Sequence, residues 1–219
     1  MNFLSNGIDI NLVFPEIFLS IWLLIFIPLG VYSGGEKQNR QSYFTIFSIV
    51  GLLGTLLIIL MGDYRAARGF FDLVVTDRLI VFLKSLVILA GIMVLIISEK
   101  YRTMTKLYLF EYPVLILFSI LGMLVMLSSN DFITLYLGLE LQSLALYVLA
   151  SIKKDSLKSS EAGLKYFILG ALASGFFLYG VSLLFGITGT TSFTMLSSNT
   201  LGYSNNSLLL NFSVVLILS

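Results

Sequence analysis

Long apolar runs alternate with short polar linkers along almost all of the 219-residue chain. Six runs lie at about 12–32, 43–61, 79–98, 107–127, 132–151 and 162–185. Each is close to the ~20 residues with which an α-helix crosses ~30 Å of hydrocarbon. A seventh begins at Leu208 and reaches position 219. At 1.5 Å rise per residue it covers only ~18 Å, which is half a crossing. In lipid, backbone N–H and C=O groups have no water to bind, so spans of this kind close their hydrogen bonds internally as helices. The pattern predicts an all-α fold, a polytopic transmembrane bundle with six full spans and the first half of a seventh. Residues 1–219 read as one membrane domain. The short seventh run suits either half of a broken helix or one piece of a larger protein.

The linkers set an orientation. The first, third and fifth hold Lys37, Arg40, Lys100, Arg102, Lys106, Lys153, Lys154 and Lys158. The N-terminal segment and the even linkers hold Arg65, Arg68 and Arg78, while Lys84 and Lys165 fall inside spans. The positive-inside rule places the odd linkers in the cytoplasm or matrix and the N-terminus on the other side. No basic residue precedes Lys37, so no secretory n-region or Arg-rich transit peptide is readable. Asn205–Asn206–Ser207 matches a glycosylation sequon, which carries little weight without such a signal.

Composition narrows the chemistry. The chain is 58% hydrophobic and 11% charged, with net charge +1, and its mean hydropathy is +0.98. That near-neutrality gives no general attraction to nucleic acid. Cys and His are both absent, whereas iron–sulfur clusters, structural zinc sites and most haems draw on those residues. No glycine-rich nucleotide motif occurs either. If the chain serves a redox enzyme, its redox groups lie elsewhere.

Against this background one residue stands out. Glu140 lies in "LYLGLELQSLALYVL", about eight residues or ~12 Å into the fifth span. A charge at that depth costs ~3 kcal/mol on insertion scales, and intramembrane ionisable groups are functional by default. On the helical period Tyr136, Glu140, Ser143 and Tyr147 share a face, so a polar stripe can line a hydrated path. A carboxyl there can load and release protons as a cation approaches or withdraws. The alternative is a protonated Glu in a structural interhelical hydrogen bond.

Other ionisable groups read more blandly. Lys165 opens the sixth span one turn after Glu161, in good register for an i,i+4 pair, or it snorkels to the interface. It also lies on the same half of the membrane as Glu140, so the two can couple through water or side chains. Lys84, one turn into the third span, reads as a snorkelling lysine. Glu111 and Glu16 open their spans and read as caps or interface groups. Gly170, Ser174, Ala171 and Gly175 form small-xxx-small pairs that suit helix packing rather than chemistry.

The stretch "NDFITLYLGLELQSLALYVLAS" followed by "SSEAGLKYFILGALASGFFLYGVSLLFGITGTTSF" resembles the antiporter-like membrane subunits of respiratory complex I, the chain 2 family of NADH–ubiquinone oxidoreductase. The ELQSL and EAGLKYFILGA blocks carry the likeness, and "VFPEIFL" and "FEYPVLILFSILGMLVML" support it. The resemblance implies proton movement through buried Glu and Lys residues and water. It matches Glu140 to the family's fifth-helix glutamate, Lys165 to its sixth-helix lysine, and Glu111 to a further glutamate of no firm role. It implies a cycle in which Lys165 alternately pairs with Glu140 and passes its proton on. It implies no cofactor in this chain, with NADH, FMN, iron–sulfur clusters and ubiquinone handled by other subunits. Expected partners are the other membrane subunits, lipids and a companion chain, because family members carry a further set of helices and this sequence ends before a buried lysine of their seventh. The expected location is the mitochondrial inner membrane, with the N-terminus on the intermembrane-space side, or else a bacterial plasma membrane. A related cation/proton antiporter or membrane-bound hydrogenase subunit, or a purely structural scaffold, are the competing readings.

Overall fold

A computed structural model describes residues 10–32, 38–62, 67–105, 109–199 and 207–218. Within them six helices are long and apolar enough to cross a membrane. These are α1 (Phe14–Tyr32), α2 (Gln38–Met61), α3 (Arg78–Met104), α4 (Glu111–Ser128), α5 (Phe132–Ala150) and α6 (Leu157–Thr188). A 3-10 turn over Ile10–Val13 leads into α1, and α7 (Phe193–Asn199) and α8 (Ser207–Leu218) follow α6. The fold is a polytopic helical membrane bundle.

Local signals set the helix ends. Asp131 caps α5 by accepting from the Ile133 and Thr134 N–H groups at 2.9 and 3.2 Å, which satisfies donors that the first turn leaves free. Ser156 accepts from Ser159 N and starts α6 at Leu157, five residues before the apolar run begins. Gly189 ends that helix at φ 70°, a left-handed conformation that glycine adopts without a Cβ clash. At 32 residues α6 is ~48 Å long and overshoots the hydrocarbon at its ends.

The linker after α2 is not a plain loop. Ala67–Gly69 (β1) and Val74–Thr76 (β2) pair as an antiparallel hairpin in the register Ala67↔Thr76, Arg68↔Val75 and Gly69↔Val74. Its turn holds Phe70, Phe71 and Asp72 at φ 54°, 55° and 69°. Left-handed backbone costs non-glycine residues roughly 1–2 kcal/mol each, so the surroundings must hold the turn. They do: Asn130 Nδ2 donates to Asp72 O at 2.8 Å, Thr194 Oγ1 donates to Asp72 Oδ2 at 2.7 Å, and Arg68 pairs with Asp72 at 3.5 Å. The hairpin, the α4–α5 turn and the start of α7 therefore interlock at one end of the bundle.

The core belongs to α1–α4. Leu19, Phe26, Leu52, Ile88, Leu95, Leu117 and Leu124 are fully buried together, and Trp22 stacks on Phe47 at 4.5 Å while donating to its carbonyl. The most apolar window of α4 is 56% buried, against 17% for those of α5 and α6. Helices in lipid associate through close packing rather than burial from water, and α4 and α5 use it fully. A Cβ on Gly122 would come within 2.6 Å of Gly138 O, and one on Gly138 within 2.7 Å of Met126 N. The two backbones touch where both side chains are missing. Helix α8, 12 residues long, lies along α6.

Lys37, Arg65, Lys106 and the sequon's Asn205 and Asn206 fall outside the described residues. Arg102, counted above as a linker residue, instead lies inside α3 and is 1% exposed. It donates to Thr45 Oγ1 at 2.6 Å and stacks over the Tyr112 ring at 4.8 Å.

Candidate functional site

Helices α5 and α6 bring the predicted stripe to a cavity. Tyr136, Ser143 and Tyr147 of α5 line a half-open space of about 320 Å³ together with Gly170 and Ser174 of α6 and Ile217 of α8. The 3.6-residue period aligns the α5 residues, and the short α5–α6 connection lays the two helices antiparallel. Glu140 joins the wall through its partner: Ser174 Oγ donates to Glu140 Oε2 at 3.0 Å. Tyr136 lies close enough for both Glu140 and Ser174 to act on its phenol, and its ring stacks on Phe177 at 5.9 Å.

Two turns away, Tyr147 is 8% exposed and meets Tyr166 edge-on at 4.8 Å. Its hydroxyl occupies the notch left by Gly170, where any Cβ would overlap it. The small-residue pairs on α6 thus divide. Gly170 does provide close packing, but Ser174 binds the candidate carboxylate rather than merely packing, and a Cβ on Gly175 would meet nothing within 4 Å.

Lys165 sits elsewhere than the resemblance led us to expect. Its Nζ pairs with Glu161 Oε1 at 2.5 Å, the i,i+4 contact that the spacing allows, and both side chains are well exposed at 70% and 62%. No direct Lys165–Glu140 pair forms. Ser174, which marks the level of Glu140, is nine residues further along α6, or ~13 Å, and that exceeds a lysine's reach. The Tyr147–Tyr166 contact and the cavity lie between the two levels. Glu111 opens α4 with its Oε2 buried and without a hydrogen-bond partner, so its carboxyl is not the plain solvated cap that its position suggested.

The largest departure is on the other side of the bundle. Lys84 and Glu16 neither snorkel nor cap. Lys84 Nζ donates to Glu16 Oε1 at 2.6 Å, and their side chains are 3% and 5% exposed. Ser128 Oγ donates to the same oxygen at 3.1 Å and also contacts Leu124 O at 2.9 Å. No period reveals this group, because its members lie 68 and 112 residues apart on three helices. Two opposite charges, each inside a span, were the available signal. Among the described residues no group of three or more His, Cys, Asp or Glu side chains could hold a metal.

Residues 129–219, which carry α5, α6 and the cavity, match the family described as NADH:quinone oxidoreductase/Mrp antiporter, TM. The chain is 46% identical over 213 residues to NADH-quinone oxidoreductase subunit N of Pelagibacter ubique, covering 96% of this chain and 43% of that protein. It is 45% identical over 191 residues to the subunit N of Paramagnetospirillum magneticum, covering 87% and 39%. A chain in the solved respiratory complex I of Thermus thermophilus with bound aureothin superposes with a TM-score of 0.71 at 26% identity, covering 93% of this chain and 42% of that one. The chain thus spans about two fifths of the length of the curated relatives that it matches.

Proposed function

Because the chain belongs to the NADH:quinone oxidoreductase/Mrp antiporter transmembrane family, we propose that it forms part of an antiporter-like subunit in the membrane arm of a proton-translocating NADH:quinone oxidoreductase. The observation that carries the reading is Glu140, held by Ser174 at the edge of a cavity lined by Tyr136, Ser143 and Tyr147. Glu140 is the proton-carrying group, and Ser174 and Tyr136 supply hydrogen bonds that follow its change of charge. The cavity is mostly apolar, but the side-chain hydroxyls of Tyr136, Ser143, Tyr147 and Ser174 line it, and it is large enough for several waters, each of which needs two to four polar partners and a space of about one probe sphere. Protons pass along it past Tyr147 toward Lys165, whose contact with Glu161 is exposed and free to exchange. Glu140 and Lys165 therefore communicate through this file and not by direct pairing. Glu111 contributes a further buried carboxyl oxygen.

Redox chemistry is assigned to other subunits, with NADH, FMN, iron–sulfur clusters and ubiquinone bound there. The apolar faces of α6 and α8, including Ile168, Leu172, Leu209 and Val215, are exposed, and lipid, neighbouring membrane subunits and the rest of this subunit cover them. That remainder is supplied by the same polypeptide or by a companion chain, which native mass spectrometry of the assembled complex distinguishes. The membrane is an energy-transducing one. The bacterial relatives favour a plasma membrane over the mitochondrial inner membrane expected first, with the basic linkers on the cytoplasmic or matrix side.

Affinity purification through a tag on this chain tests the assignment. Co-purification of an NADH-oxidising, quinone-reducing assembly supports it. A stable complex that exchanges cations for protons and lacks those subunits assigns the chain to the antiporter branch of the family instead.

A further inference from the structure

The mechanism above leaves the Glu16–Lys84 pair unused. We propose that this pair is a second protonatable site, at the hairpin end of the bundle, where Glu16 takes up and releases a proton in step with translocation. The inference rests on the chain's being part of a proton-translocating subunit.

Four observations carry it. First, the pair is deep: Lys84 lies six residues into α3, ~9 Å from its start, and both side chains are almost wholly buried. Second, it is poor scaffolding. A buried ion pair contributes little net stability, and apolar residues of similar volume often replace one without loss. Third, it is incompletely bonded. Glu16 Oε2 is buried without a hydrogen-bond partner, although Oε1 accepts from both Lys84 and Ser128. One oxygen is thus held and the other is open to a proton. Fourth, Thr76 Oγ1 is likewise buried and unpartnered. Its strand bridges to Ser129 through Val74, beside the serine that binds Glu16. The hairpin thus brings a second unsatisfied polar group to the same end.

The step needs no co-reactant beyond water. A hydronium donates its proton to Glu16 Oε2, leaving water, and the carboxylate becomes a carboxylic acid beside the Lys84 ammonium. The ion pair is lost and the flexible lysine can withdraw; release of the proton to water restores the pair. Among the described residues the other charges at this end are already engaged or exposed. Asp72 binds Arg68 and Thr194, Asp131 binds the start of α5 and Thr191, Asp77 accepts from Arg78 N, and the Arg78 side chain is exposed. Within the described residues Glu16 and Lys84 have each other as charged partners.

The test uses the assembled complex in sealed proteoliposomes, with Glu16→Gln and Lys84→Arg alongside Glu140→Gln. Lys84→Arg preserves the charge but offers a planar fork that can occupy both carboxylate oxygens. Lys84→Arg keeps the ion pair and is expected to assemble normally, whereas Glu16→Gln leaves a buried charge unpaired and lowers stability. In assembled complexes of either variant coupled proton movement is expected to slow at least about tenfold, since positioned proton-transfer groups contribute roughly 10²–10⁴-fold. Pumping at the wild-type rate by either assembled variant overturns the proposal. So does failure of both to assemble, which marks the pair as structural. If Glu140→Gln also pumps normally, the proton-path reading itself falls; if Glu140→Gln alone is impaired, only the second site does.

Discussion

Ser174 on α6 donates to Glu140 on α5 at 3.0 Å, and this contact ties the half-buried carboxyl to the helix that carries Lys165. Replacing Ser174 by Ala removes one hydrogen bond to a group that must change charge, worth about 1.5–3 kcal/mol when the acceptor is ionised. The assembled Ser174→Ala complex is expected to show slower coupled quinone reduction, with uncoupled electron transfer from NADH much less affected. Equal coupled rates would leave the contact without a role.

Tyr147 and Gly170 test the cavity by volume. Gly170→Leu drives a side chain into the space that the Tyr147 hydroxyl occupies. Overpacking of this kind costs typically 1–3 kcal/mol, and here it also narrows the water file. A lower thermal midpoint of the solubilised complex and a reduced coupled rate should appear together, whereas Gly175→Ala, whose Cβ has open space around it, leaves the α5–α6 contact intact.

Gly138 tests packing without touching the cavity. A Cβ there falls 2.7 Å from Met126 N and 2.8 Å from Gly122 O. Backbone cannot yield as a flexible side chain can, so Gly138→Val should separate α4 from α5. The expected readout is loss of the subunit from the complex on a native gel, more severe than for Gly170→Leu.

Lys165 and Glu161 should separate stability from function. Their pair is exposed, and such pairs are worth about 0–1 kcal/mol. Lys165→Ala therefore assembles with little change in thermal midpoint, yet lowers proton translocation if the file ends at this lysine. Unchanged translocation would move the end of the path elsewhere.

Much of this arrangement was legible along the chain, for reasons that differ by element. The spans show themselves because lipid demands an apolar run of fixed length. The Tyr136–Glu140–Ser143–Tyr147 stripe shows itself because all four sit on one helix, where period alone decides which side chains meet. Ser174 was read as a small packing residue, since only the register between α5 and α6 places it at Glu140. The same register keeps Lys165 from Glu140, which adjacency of the two helices could not reveal. Glu16 and Lys84 each read as ordinary end-of-span residues, and their pairing depends on how α1, α3 and α4 converge. The hairpin at 67–76 was hidden in a polar linker, because its turn is held by Asn130 from the α4–α5 turn and Thr194 from the start of α7, both distant in sequence.

The central claim is that Glu140 carries a proton, and proton uptake by sealed vesicles containing the assembled Glu140→Gln complex tests it most directly. Gln keeps the side chain's volume and can still accept the Ser174 hydrogen bond, but it cannot take up and release a proton near neutral pH. The account predicts a complex of normal composition whose coupled proton movement falls at least about tenfold. An assembled Glu140→Gln complex that moves protons at the wild-type rate would contradict it.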